Sequence, residues 1–198
     1  MKVSKARAAE NRQGILDAAS RLYRERGLTG VGVADITRDA GLTHGGLYRH
    51  FASKDALVQE ACARAFDWSI APLDGATPNT TVSERIQSYL SPQHRDSPGT
   101  GCPAAALAVD AARAGSELSE VFAQGIERNI ERFAQLLCGG DATTVQPQDR
   151  DRAMQVLATM VGGLVLARAT AAARPALSDE LLATLQARLI GLLGEDAH

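Results

Sequence analysis

Apolar residues fall at helical spacing along most of the chain. Between about Ala6 and Arg26, Ile15, Leu16, Ala19, Leu22 and Tyr23 occupy i, i+1, i+4, i+7 and i+8, one stripe of an amphipathic helix. Gly27 stands where that helix would stop, because glycine takes the left-handed conformation that commonly closes a helix. A short helix is expected from about Val33 to Ala40, with Ile36 inward and Gly41 as its stop. Thr43 is placed to cap a third, running to about Phe51, on which Leu47 and Phe51 share a face. Ser53 heads a fourth that carries Leu57, Val58, Ala61, Ala65 and Trp68.

Pro72, Gly75, Pro78 and Asn79 interrupt the periodicity between about Ala71 and Thr81. A helix from about Val82 to Leu90 follows, then a polar loop from Ser91 to Gly101 containing Pro92 and Pro98. Helical pattern resumes from Pro103 to about Ala114 and from about Leu118 to Leu137. Cys138-Gly139-Gly140 and the polar stretch to Pro147 precede a long Ala-rich helix, about Asp149 to Ala173. Pro175 breaks it, and Ser178 is placed to cap a last helix bearing Leu181, Leu182, Leu185, Leu189 and Leu192. No segment alternates as a strand should, and no repeat is present. The pattern predicts an all-α chain of eight or nine helices, a head over residues 1–55 and a helical body over 56–198.

Composition narrows the class. With 198 residues and 45% hydrophobic content, a sizeable core can form, and aromatics at 4% favour helices over sheets. No apolar run approaches the roughly 20 residues a membrane span needs. The start of the chain, Met1-Lys2-Val3-Ser4-Lys5, lacks the apolar stretch of a secretory signal. Three widely spaced cysteines make neither a disulfide framework nor a metal pattern. A reduced, cytoplasmic protein without metal or cofactor is expected. Charge is unevenly shared: residues 1–55 hold ten Lys and Arg against six Asp and Glu, while the rest hold eleven against seventeen. A cationic head on an acidic body suits a protein whose head meets a polyanion. Metal spacing, a nucleophile elbow, a phosphate loop and a dinucleotide fingerprint are all missing, and four histidines leave catalysis few players. An enzyme is not expected.

Residues 33–51, VADITRDAGLTHGGLYRHF, make a helix-turn-helix hinged at Gly41. Ile36, Ala40, Leu42, Leu47 and Phe51 would pack its two helices together. Gly45, Gly46 and Arg49 then point outward, with Tyr48 on the flank. Glycine costs about 1 kcal/mol relative to alanine inside a helix, so two in a first turn need a reason. Close approach to a duplex supplies one. Thr43, His44, Tyr48, Arg49 and His50 add hydroxyl, imidazole, phenol and guanidinium groups suited to base edges and phosphates.

From Arg12 through Leu57 the chain resembles the tetracycline-repressor (TetR) family, through RQGILDAASRLYRERG and VADITRDAGLTHGGLYRHFASKDAL. The resemblance matches Thr43, His44, Gly45, Gly46, Tyr48 and His50 to the family's recognition helix, and Lys54 to a basic residue that meets phosphate. One departure stands out. Where the family usually places Thr or Ser before the second helix, this chain has Val31 and Gly32, so the hydroxyl cap and its phosphate contact are missing. Lys2, Lys5 and Arg7 are placed for a basic arm along DNA or for simple solvation.

Beyond residue 60 the resemblance is one of architecture. It implies a small-molecule inducer pocket, a homodimer through the last two helices (about 149–173 and 178–194), and a palindromic double-stranded operator read as repressor or activator. Two-fold symmetry would set the reading helices about 34–36 Å apart. Candidate pocket residues are Phe66, Trp68, Tyr89, Leu107, Phe122, Ile126 and Met160, each equally suited to plain core. Cys102, between Gly101 and Pro103, falls at a helix N-cap, where amides and the helix dipole favour thiolate. The resemblance extends to a branch of the family with Gly-Cys at this helix start, in which some members sense electrophiles or oxidants. Cys102 is therefore a candidate sensor thiol, or else an inert small residue; Cys62 and Cys138 read as core.

Overall fold

The computed structural model describes residues 5–70, 81–139 and 145–195, with backbone alone at positions 44, 45, 68, 70, 194 and 195. Among the described residues there are ten α-helices and no strand. They are α1 (Lys5–Arg26), α2 (Val33–Asp39), α3 (His44–Leu47), α4 (Lys54–Ile70), α5 (Val82–Tyr89) and α6 (Pro92–Asp96), followed by a 3₁₀ turn at Pro98–Thr100. Then come α7 (Pro103–Arg113), α8 (Ser116–Leu137), α9 (Pro147–Ala171) and α10 (Pro175–Glu195).

Two cores meet across α8. The first joins Ile15, Leu22 and Tyr23 of α1 to Ile36, Leu47 and Phe51, to Leu57, Ala61 and Phe66 of α4, and to Leu107 and Phe122 behind. The second packs Ile86, Ile130 and Phe133 against Val156, Met160 and Leu164 of α9 and Leu182 and Leu189 of α10. Each large apolar side chain taken out of water in this way contributes about 1.5–3 kcal/mol. The head is thus seated on the body through α4, α7 and α8 by one continuous apolar cluster.

Helix ends follow local chemistry. Gly27 and Gly41 adopt φ +74° and +66°, closing α1 and the turn after α2 in the left-handed region other residues resist. The Ser53 hydroxyl accepts the Ala56 N–H at 3.0 Å and starts α4. Thr81 and Glu84 form a reciprocal capping box at α5.

Four expectations need correction. Helical bonding in α3 stops at Leu47, and residues 48–50 form a turn in which the His50 N–H bonds the Leu47 carbonyl at 2.9 Å. Two glycines in four residues weaken the helix, and this tighter closure replaces it. The stretch 91–101 is not a loop. Ser91 caps α6, accepting the His94 N–H at 3.2 Å, and each of its prolines opens a helical turn instead of breaking one. Pro175 likewise begins α10, and Ser178 lies one turn inside it, fully buried. Its hydroxyl donates to the Ala167 carbonyl at 2.8 Å and accepts from Arg95 at 2.9 Å, which ties α10 to α9 and α6. Finally, α9 is long and apolar enough by length and composition to cross a membrane. It is apolar on more than one face because α8 packs on one side and α10 on the other.

Candidate nucleic-acid interface and ligand cavity

The helix-turn-helix is mounted from below. Ile36 and Leu47 are fully buried, Phe51 nearly so, and the Arg12 guanidinium of α1 stacks 4.7 Å over the Phe51 ring while pairing with Glu60 of α4. This locks the turn after α3 between α1 and α4. Tyr48 is 55% exposed, and Thr43 and Arg49 are exposed beside it, with His50 and Lys54 partly buried at the flank. Gly46 is half-buried, and the only neighbour a β-carbon there would meet is the Thr43 hydroxyl, 3.8 Å away. The backbone of α3 is therefore open to close approach. The side chain of His44 and the surroundings of Gly45 lie outside the described residues.

Gly32 is the N-cap of α2, as its position suggested, and works through backbone alone. Its N–H donates to the Asp35 carboxylate at 3.0 Å and its carbonyl accepts the Ile36 N–H at 3.3 Å. Val31, in the place of the usual hydroxyl residue, is 1% exposed and belongs to the first core.

The body holds a cavity of about 590 Å³ between α5, α6, α8 and α9. Phe133, Leu157 and Met160 form its apolar wall; Arg85, Ser88, Tyr89 and Asn129 are among its polar lining. Tyr89, Met160 and Cys102, all singled out from the sequence, line it together. Phe66, Leu107 and Phe122 instead fill the first core, with the Phe66 and Phe122 rings edge to face at 5.1 Å. Ile126 packs between the two cores, and the Trp68 side chain lies outside the described residues.

Cys102 is the N-cap of α7, with Pro103 at the first helical position, and is 6% exposed. Its amide donates to His94 Nε2 at 3.1 Å, while His94 Nδ1 is 2.8 Å from the Tyr89 carbonyl. Both contacts are satisfied by the neutral imidazole protonated on Nδ1, and burial holds His94 below the usual histidine range. The His94 and Tyr89 rings stack edge to face at 4.5 Å. Cys62 is buried and its thiol is pushed up to about 12 by burial, whereas Cys138 is only half-buried and donates to the Gln135 carbonyl.

One buried and one half-buried arginine gave no sign of themselves in the sequence. Arg24 of α1 reaches out of the head to the Gly101 carbonyl at 2.8 Å, and Arg168 of α9 donates to the carbonyls of His94 at 2.8 Å and Arg95 at 3.1 Å. Together they bolt the 94–101 segment to the head on one side and to α9 on the other. Burial lowers both guanidinium pKa values, and the Cys102 thiol lies near both. An arginine in a basic last helical turn gives no sequence signal that it will fold inward.

A family model described as bacterial regulatory proteins of the tetR family matches residues 15–61, the segment that builds this head. The HTH-type transcriptional repressor KstR2 of Mycobacterium tuberculosis is 40% identical over 77 residues, 38% of this chain and 38% of its own. The head of the chain is a TetR-family helix-turn-helix. Matched stretches therefore span well under half the length of these curated relatives. YfiR of Bacillus subtilis, an uncharacterised HTH-type transcriptional regulator, extends the likeness to 74% of this chain at 26% identity. For the fold, a TetR-family regulator from Cytophaga hutchinsonii superposes with a TM-score of 0.74 at 22% identity, over 96% of this chain and 98% of that one. The TetR fold accordingly includes the body, where sequence likeness is thin.

Proposed function

We propose that this TetR-family chain is a cytoplasmic, ligand-responsive repressor that reads a palindromic DNA operator as a homodimer. The observation that carries the reading is the exposed edge of the helix-turn-helix. Thr43, Tyr48 and Arg49 stand on solvent over fully buried Leu47, on the segment that the family model matches. In this reading Thr43, His44, Gly45, Gly46, Tyr48, Arg49 and His50 meet the duplex. Lys54, at the first turn of α4, meets a phosphate with help from the helix dipole. Residues 1–55 form the reading head and 56–198 the binding and dimerising body.

Dimerisation is supported by what α9 and α10 leave uncovered. Met154, Val165 and Leu166 of α9 and Leu177 and Leu192 of α10 are exposed, and β-carbons at Gly162 and Gly191 would meet nothing within 4 Å. Large apolar groups at solvent on two adjacent helices mark an interaction face. Release follows when an inducer in the 590 Å³ cavity favours a conformer with displaced heads. Arg24 joins that cavity wall to α1.

The test is selection of bound duplexes from a random pool by wild type and Tyr48→Ala. A palindrome enriched by wild type and lost in the variant is the expected result. No enrichment at low salt, where phosphate contacts are strongest, would sink the reading. A thiol-reactive trigger is the second route, supported by Cys102 lining the cavity near Arg24 and Arg168. It requires that a maleimide label Cys102 in the folded protein; an unlabelled thiol removes it.

A further inference from the structure

The polar groups of the cavity are arranged unevenly, and the imbalance identifies the charge of its occupant. Asn129, on α8, is 4% exposed and lines the cavity with its amide. A buried polar atom without a partner is costly unless something else meets it. Arg85 lines the same space from α5, and its Nε is buried and unbonded; no ion pair to Arg85 occurs among the described residues. The Tyr89 hydroxyl, one helical turn beyond Arg85 on the same face, is buried without a well-aligned hydrogen bond, its near neighbour being the Cys102 thiol, a weak partner that an occupant could replace.

Charge points the same way. Among the described residues Glu84 is the one carboxylate in the lining, and it is exposed, accepting from the Thr81 N–H at 2.7 Å and the Thr81 hydroxyl at 3.0 Å. His94, the other basic group of the wall, is held neutral by its two ring contacts. Cys102 and Tyr89 are the remaining titratable groups of the lining among the described residues. A body with eleven arginines and seventeen acids thus lines this cavity, among the described residues, with one carboxylate already engaged by Thr81 and one guanidinium whose Nε is buried and unbonded. Phe133, Leu157 and Met160 offer the occupant an apolar bed.

We infer that the cavity binds an amphipathic organic carboxylate, its apolar body on Phe133, Leu157 and Met160 and its carboxylate on Arg85, with Tyr89 and Asn129 as further hydrogen-bonding groups. A guanidinium donates to a carboxylate through two parallel N–H groups, which a neutral amide cannot match. This rests on the ligand-responsive reading for its biological meaning but not for its binding chemistry.

The test is a titration of the purified full-length protein, followed by calorimetry, with 4-phenylbutyrate and octanoate against 4-phenylbutanamide, octanamide and octylammonium. The carboxylates are expected to bind roughly 10- to 100-fold more tightly than the matched amides, with the ammonium weakest. Arg85→Met should erase the preference for carboxylate over amide, and Arg85→Lys should keep part of it. Equal binding of acids and amides, no binding of either acid, or a preference that survives Arg85→Met would overturn the inference. Operator release is read separately by fluorescence anisotropy of a labelled duplex. Carboxylates that bind without releasing DNA would sink the ligand-responsive reading while leaving the site; amides that bind and release equally well would do the reverse.

Discussion

At Gly32 the cap of α2 rests on a backbone N–H and the Asp35 carboxylate, with no hydroxyl to complete it. The residue sits at φ −92°, ψ 161°, open to any side chain, and a β-carbon would come no nearer than 3.4 Å to Asp35. Gly32→Ser should therefore add a cap and stiffen the unfolded chain less favourably for unfolding, together worth a few tenths to about 1 kcal/mol. A melting curve should rise by up to about 4 °C, and a lower value would mean that the serine rotamer cannot reach the N2 or N3 amide. His94 sets a second residue-scale expectation. Its pKa lies below its usual value in the folded state, so between that value and about 6.5 the unfolded chain binds a proton that the native state refuses. The stability is whole above about pH 6.5 and declines as pH falls below it. Unfolding measured from pH 7 to pH 5 should show this decline, and His94→Gln should flatten it; an unchanged slope would place the acid sensitivity elsewhere.

Among the elements, α4 and α8 make the joint that carries the head. Gly125 lets them close, since a β-carbon there would meet the Phe66 ring at 2.4 Å. That ring is fully buried against Phe122 and has nowhere to swing. Gly125→Ala should gain about 1 kcal/mol of helix propensity but lose about 1–3 kcal/mol to overpacking. The expected net effect is a lower urea midpoint; a higher midpoint would show that α4 can slide aside. The sequence announced neither this joint nor the inward arginines, because both depend on which face of α8 or α1 meets a neighbour some tens of residues away. Boundaries at Gly27, Gly41 and Ser53, by contrast, were legible, since each is decided by the residue's own backbone preference or hydroxyl. Pro92, Pro98 and Pro175 were misread for a related reason. Proline ends one helix and opens another equally well, and only the neighbouring turns decide which.

At the scale of the whole molecule, α9 and α10 leave large apolar side chains at solvent among the described residues. Leu166, toward the C-terminal end of α9, is 53% exposed on this face. If that face pairs with its twin, Leu166→Arg enters the interface twice and should convert a dimer to a monomer in light scattering, with loss of tight operator binding. A wild-type monomer at micromolar concentration would refute the pairing. The sequence alone determined the all-α class, the helix-turn-helix with Arg49 on its outer side, and the acidic body, because those follow from periodicity and composition within short stretches of chain. It also placed Cys102 at the N-cap of α7, which Pro103 decides locally. Tertiary structure alone decided which apolar residues are core and which face the cavity. Phe66 and Met160 are equally apolar and equally buried, and only the packing of α4 on α8, and of α9 across from α5, sets the first wholly within a core and the second where its core borders the cavity. It likewise brought Arg85, Tyr89 and Asn129 to one cavity, since which polar groups share a space is a relation between distant helices and not a property of any one of them.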